Sequence, residues 1–117
     1  MKLLKSLDKN AKILNISNCN LKGVLDLRDF KYLKELDCSN NEITEIRNIS
    51  ENIKYLNCSF NKLKSLYCRI YENLEELYCN DNEITTLKIP TNIKKVNSVN
   101  NKISELEYNI NKKILRY

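Results

Sequence analysis

The 117-residue chain contains no histidine and no tryptophan, and only one glycine and one proline. Without histidine there is neither a Ser-His-Asp triad nor a Cys–His pair, and one glycine cannot build a loop that cradles phosphates. No carboxylates stand in a paired motif that a known fold would place, so no enzyme, cofactor or metal centre is expected. The scarcity of glycine and proline also argues against a hairpin-rich β-sandwich, whose corners depend on those residues. No segment approaches the roughly 18 apolar residues of a membrane span, and Met1-Lys-Leu-Leu-Lys-Ser-Leu-Asp8 lacks the apolar run of a signal peptide. An intracellular, cytoplasmic protein is therefore expected. The five cysteines are an odd number, and without a secretory signal a disulfide framework is not expected.

What is present is ordinary for a folded chain: 42% hydrophobic and 30% charged residues, with a net charge of +5. The length fits one domain spanning residues 1–117. A fixed internal period governs its reading. Four segments superpose on their asparagines: LKELDCSNNEITEI from Leu33, IKYLNCSFNKLKSL from Ile53, LEELYCNDNEITTL from Leu74 and IKKVNSVNNKISEL from Ile93. A fifth, AKILNISNCNLKGV from Ala11, places Ile16 in the Cys column and Cys19 in the Asn column. Successive starts differ by 22, 20, 21 and 19 residues, and Ile114 and Tyr117 open a further, partial unit.

The pattern L-x-x-L-x-C-x-x-N-x-I-x-x-L resembles the leucine-rich-repeat family, over roughly residues 11 to 117. The short period, with junctions at Ile49, Ile70 and Ile89, is similar to the compact repeats of bacterial effectors and of large viruses with AT-rich genomes. The resemblance implies a right-handed leucine-rich-repeat solenoid of about five coils, with a parallel β-sheet on the concave face. It also implies that Asn41, Asn61, Asn82 and Asn101 satisfy buried backbone from one coil to the next.

Alternation such as Leu36-Asp37-Cys38 has period two, so Leu and Cys face inward and Asp outward on one short strand per coil. Stacking then aligns four columns: Leu33/Ile53/Leu74/Ile93, Leu36/Leu56/Leu77/Val96, Ile43/Leu63/Ile84/Ile103 and Ile46/Leu66/Leu87/Leu106. Only six to nine residues connect one unit to the next, too few for a regular helix, which leaves 3₁₀ turns or extended segments for the convex side. Residues 1–10 are expected to form a helical cap. Cys38, Cys58 and Cys79 share a column with Ile16 and Ser98, as a small core slot allows, whereas Cys68 falls outside it and reads as a surface thiol.

The outward strand positions line the face that solenoids use for binding. They include Ser39, Ser59 and the candidate site residues Glu35, Asp37, Tyr55, Asn57, Phe60, Glu76, Tyr78 and Asp81. With Lys95 as the sole base among four acids, this face carries −3 in a chain of +5. Exposed aromatics among acids point to a protein or peptide partner with basic and apolar groups. The competing readings are aromatics that merely suit a pleated surface, or a structural remnant of a longer array, which the partial last unit favours. A row of Lys12, Lys34, Lys54 and Lys94, interrupted by Glu75, suggests nucleic acid only weakly, because the acidic face beside it repels phosphates. Finally, Glu42, Lys62, Glu83 and Lys102 alternate in sign on successive coils, an arrangement that disfavours slipping the stack by one turn.

Overall fold

In a computed structural model, which describes residues 2–107, each coil begins with a three-residue strand whose middle side chain is buried. These strands are β1 (Ile13–Asn15), β3 (Glu35–Asp37), β5 (Tyr55–Asn57), β7 (Glu76–Tyr78) and β9 (Lys95–Asn97). They pair in parallel and in sequence order as one five-stranded sheet, with Leu14, Leu36, Leu56, Leu77 and Val96 in register. One column therefore runs the length of the sheet, as the period requires.

A second set of strands forms the next wall: β2 (Lys22–Asp26), β4 (Glu42–Arg47), β6 (Ser65–Tyr67), β8 (Thr86–Lys88) and β10 (Glu105–Glu107). It divides into a β2–β4 pair and a β6–β8–β10 sheet, both parallel. These strands carry the last apolar column, Ile46, Leu66 and Leu87, so sheet is not confined to the first wall. The return to the next coil is made by single turns, closed by bonds such as Phe30 N–H to Leu27 O (2.9 Å) and Leu74 N–H to Tyr71 O (3.0 Å). The only helix among the described residues is one turn, α1 (Lys2–Lys5), whose Leu4 is buried against the core. No described helix is long and apolar enough to cross a membrane. The partial unit at Ile114 lies outside the described residues.

Of the sixteen column residues, thirteen are buried and Ile46 and Ile103 are partly buried; the side chain of Leu106 lies outside the described set. At about 1.5–3 kcal/mol for each fully buried aliphatic side chain, the columns supply most of the gross driving force for stacking. A single coil has no second surface to bury them against, so the coils fold together or not at all.

Two positions depart from the simple repeat. In the first coil, the register shifts between Gly23 and Val24, so that Leu25, not Val24, pairs with Ile46. The residue left without a partner at the shift is Thr44 of β4, and Gly23 opposite the bulge has φ +78°, a conformation that carries no steric penalty only for glycine. Leu25 is wholly buried and Val24 is exposed.

Cys68 is buried rather than a surface thiol, while Ile70 is 77% exposed. Its N–H bonds to Lys88 O (2.7 Å) just as Leu27 N–H bonds to Arg47 O (2.9 Å). Cys68 thus fills an inner column with Leu27, Ile49 and Ile89, all of them buried.

The asparagine ladder has a uniform geometry. Asn61 Oδ1 accepts from Ile43 N–H of the preceding coil (2.9 Å), while its Nδ2 donates to Cys38 O, Cys58 O and Ser59 O (3.0, 3.1 and 3.2 Å). Asn82 and Asn101 repeat this towards Leu63 N–H and Ile84 N–H, each at 3.0 Å. Asn41 accepts from both Cys19 N–H and Leu21 N–H at 3.0 Å. An amide is the smallest side chain that offers a donor and an acceptor at once, which is why the column is asparagine.

Candidate interaction surface

The outer face of the five-stranded sheet is assembled from rows that the strand register aligns. The first row reads Ile13, Glu35, Tyr55, Glu76, Lys95, and the second Asn15, Asp37, Asn57, Tyr78, Asn97. Neighbours along a row are separated by about 4.8 Å, the spacing of paired strands, so side chains on adjacent coils touch. Tyr55 and Tyr78 do so diagonally, with ring centroids 5.6 Å apart and planes inclined at 49°. Lys95 Nζ lies 5.5 Å from the Tyr78 ring centroid, and the Tyr78 hydroxyl donates to Glu76 (2.7 Å). Burial raises the phenol of Tyr55 above its ordinary pKa; a hydrogen bond with Asn57 opposes that rise, and Asp37, Tyr78 and Glu76 add to it. The two tyrosines form a fixed aromatic step in the middle of the sheet.

Not every outward position is free for a partner. Asp37 Oδ1 accepts from the N–H and hydroxyl of Ser39 (3.0 and 2.6 Å), and Asn57 Oδ1 does the same for Ser59 (3.1 and 2.6 Å). Asn15 binds Ser17 in this way, and Asn97 binds Val99 N–H. These side chains shape the exit from the strand as Asx turns. Ser39 and Ser59 are consequently buried, contrary to the outward placement that alternation alone gives them. Strand alternation ends where the strand ends.

Beyond the serines, Asn18, Asn40, Phe60, Asp81 and Asn100 occupy a column of left-handed backbone, with φ between 53° and 59°. Asparagine and aspartate tolerate that conformation because a short polar side chain can bond locally; a bulky residue pays for it in steric strain. Asp81 is held by Asn80 Nδ2 and Asn100 Nδ2 (2.8 and 2.9 Å). Phe60 is the exception, an aromatic ring half exposed at 50%.

Four acids off this face have cations: Asp26 pairs with Arg28 (2.6 Å), Glu45 with Arg47 (2.9 Å), Glu75 with Lys94 (3.1 Å), and Glu42 with Lys62 (3.0 Å) and Lys22 (3.5 Å). Glu35, Asp37, Glu76 and Asp81 form no ion pair among the described residues. The lysine row beside the strands is itself partly neutralised, since Lys94 is bound to Glu75.

The stacked thiols are chemically muted. Burial pushes Cys38 and Cys68 up to about 12, and raises Cys58 and Cys79 well above the ordinary thiol value. A thiolate, the form that attacks or ligates, is therefore disfavoured at all four. Among the described residues, no three Cys, Asp or Glu side chains converge as a metal-holding group.

The Leucine Rich Repeat family model matches residues 32–51 and 73–96, which hold the second and fourth coils. Those two stretches are leucine-rich repeats, and the fold is a leucine-rich-repeat solenoid. Leucine-rich repeats generally mediate protein–protein interaction and are typically non-enzymatic. No curated protein and no solved structure matches this leucine-rich repeat chain.

Of the eight site residues expected from the sequence, the sheet brings Tyr55, Tyr78, Glu76, Glu35, Asp37 and Asn57 onto two adjacent rows. Phe60 and Asp81 stand at the rim, on the left-handed column. Ile13 was not among the eight, although its outward position made it legible; it is 66% exposed at the head of the first row. In the sequence Lys95 reads only as a charge, and its place over Tyr78 is not visible in a one-dimensional pattern.

Proposed function

We propose that the outer face of the five-stranded sheet binds a protein or peptide partner carrying basic and apolar groups. Tyr55, Tyr78 and Phe60 provide its aromatic contacts, and Glu35, Asp37, Glu76 and Asp81 its charge. The observation that carries this reading is Phe60. Four of the five residues in its column are Asn or Asp, so the sequence that relieves the backbone is already used on the neighbouring coils. An aromatic kept there against a cost of roughly 1–2 kcal/mol has a use outside the fold. Aromatic anchors flanked by polar groups are the usual composition of binding hot spots. The four buried, unpaired thiols suit a reducing, intracellular setting.

Phe60→Asn separates binding from folding, because it relieves strain while removing the ring. Immobilised chain should retain its partner from a lysate of the native source, Phe60→Asn and Tyr78→Ala should lose most of it, and Phe60→Asn should melt no lower than the parent. Capture undiminished by Phe60→Asn, Tyr55→Ala and Tyr78→Ala, with the fold intact, would remove this face from consideration.

A further inference from the structure

The outer face is not uniform along its length. At its N-terminal end the first three coils enclose a shallow hollow of about 240 Å³, lined by Ile13, Leu14, Asn15, Glu35, Leu36, Asp37 and Tyr55. Ligand pockets for whole small molecules run to about 300–1,000 Å³, so this volume suits one side chain. Its walls are the exposed Ile13 and the ring of Tyr55, and its charge is that of Glu35 and Asp37. Tyr55 is packed against Tyr78 on the side of the fourth coil and borders the hollow on the other.

The other end of the same sheet shows how this combination of groups is completed. There a tyrosine, Tyr78, has a carboxylate beside it in Glu76 and a cation over its ring in Lys95. At the N-terminal end the tyrosine and carboxylates are present, but the first-row residue on the outermost coil is Ile13. No described cation pairs with Glu35 or Asp37, in a chain whose net charge is positive. The chain answers its own charge at one end and leaves it open at the other.

We propose that this hollow receives an arginine side chain of the partner, its guanidinium stacked on Tyr55 and hydrogen-bonded by Glu35 and Asp37, its methylenes against Ile13. Arginine is favoured over lysine because a planar guanidinium can stack on the ring and still present its donors in-plane to two carboxylates. Asp37 takes part through Oδ2, since Oδ1 is engaged with Ser39. This inference rests on the outer face being the binding surface and names the chemistry that one part of it selects.

The test is an NMR titration of the full chain with N-acetyl-arginine amide, N-acetyl-lysine amide and the neutral isostere N-acetyl-citrulline amide. The arginine probe should shift the resonances of Ile13, Glu35, Asp37 and Tyr55 saturably, the lysine probe more weakly, and citrulline not at all. Glu35→Gln should weaken the arginine probe by about tenfold or more. Ile13→Lys, which supplies an internal ammonium, should abolish its binding. Glu35 and Ile13 are both exposed and Glu35 makes no described side-chain bond, so these variants keep the fold. The proposal fails if lysine matches arginine, if citrulline produces the same shifts, if Glu35→Gln leaves them unchanged, if they map elsewhere, or if none saturate. Phe60 lies outside this hollow. A partner lost in Phe60→Asn but kept in Glu35→Gln would refute the arginine site alone, whereas arginine binding in the hollow with capture indifferent to Phe60 and Tyr78 would refute the wider surface alone.

Discussion

Asn61 and Asn82, one coil apart, donate to the same acceptor: each Nδ2 lies 3.1 Å from the carbonyl oxygen of Cys58. The sharing recurs at Cys38 O, between Asn41 and Asn61, and at Cys79 O, between Asn82 and Asn101. Each carbonyl spends both lone pairs on amides from two coils, which ties the coils through a chain of polar contacts inside an apolar stack.

Truncating one rung should therefore cost far more than the loss of one hydrogen bond. Asn61→Ala removes the partner of Ile43 N–H and one donor to each of Cys38 O, Cys58 O and Ser59 O. The expected loss is on the order of 3 kcal/mol, because the buried N–H keeps its desolvation penalty. Urea unfolding should show a large fall in midpoint for Asn61→Ala and a change within about 0.5 kcal/mol for Asn52→Ala, at an exposed turn. Equal effects would mean that the ladder is decorative.

The first coil offers a test of register. Leu25→Ala should cost about 2–5 kcal/mol, and Val24→Ala less than about 0.5 kcal/mol, although a plain repeat alignment puts Val24 in the core. Gly23→Ala should cost about 1 kcal/mol through its backbone alone, since a Cβ there meets no atom within 4 Å. Thermal or chemical denaturation of the three variants measures all of this.

The cysteines should separate by accessibility. Cys19 is exposed, and the other four are buried. Brief iodoacetamide treatment of the native chain should add one adduct, at Cys19, and five after denaturation, counted by mass spectrometry. The raised pKa values of the buried thiols also have a consequence for pH. The unfolded chain releases its thiol protons near 9.0, whereas the folded chain holds those of Cys38 and Cys68 to about 12. Stability is full below the unfolded value and is lost as pH rises through that window, so the melting temperature should fall above about pH 9 and Cys68→Val should blunt the fall.

Glu42 sits between Lys62 and Lys22, and those two lysines, Lys62 first, hold its carboxyl below the ordinary 4.5. A lowered carboxyl contributes stability above its unfolded value and loses it as pH falls through the folded one. The difference in melting temperature between the parent and Glu42→Gln should accordingly be present at neutral pH, shrink below about pH 4.5 and diminish in high salt. Lys62→Glu should destabilise more than Lys31→Glu, since Lys31 has no described ion pair.

The columns of Leu and Ile, the asparagine rungs and the parallel pairing were all legible in the sequence, because each depends on a period that repetition makes visible. Positions that break the period were not. At Gly23 the register of β2 against β4 shifts by one residue with a left-handed φ that the repeat does not display, and a one-residue slip exchanges inside for outside. Cys68 was hidden because Ile70, two residues later, offered a more apolar claim to the same column. On the binding face, alternation correctly turned Tyr55 and Tyr78 outward, but it could not tell that Asp37 and Asn57 also hold the chain's own serines. That distinction depends on where a three-residue strand stops, and the stop is set by Asx turns rather than by hydrophobicity.

The asparagine rungs also give the array a direction. Asn61 caps the donor at Ile43, Asn82 the donor at Leu63, and Asn101 the donor at Ile84. At these three positions the buried donor of one coil is capped by the asparagine of the coil that follows. Shortening such a protein from its C-terminal side uncovers a buried amide with each coil removed, and an inserted coil fits only if it brings an asparagine for the one before it.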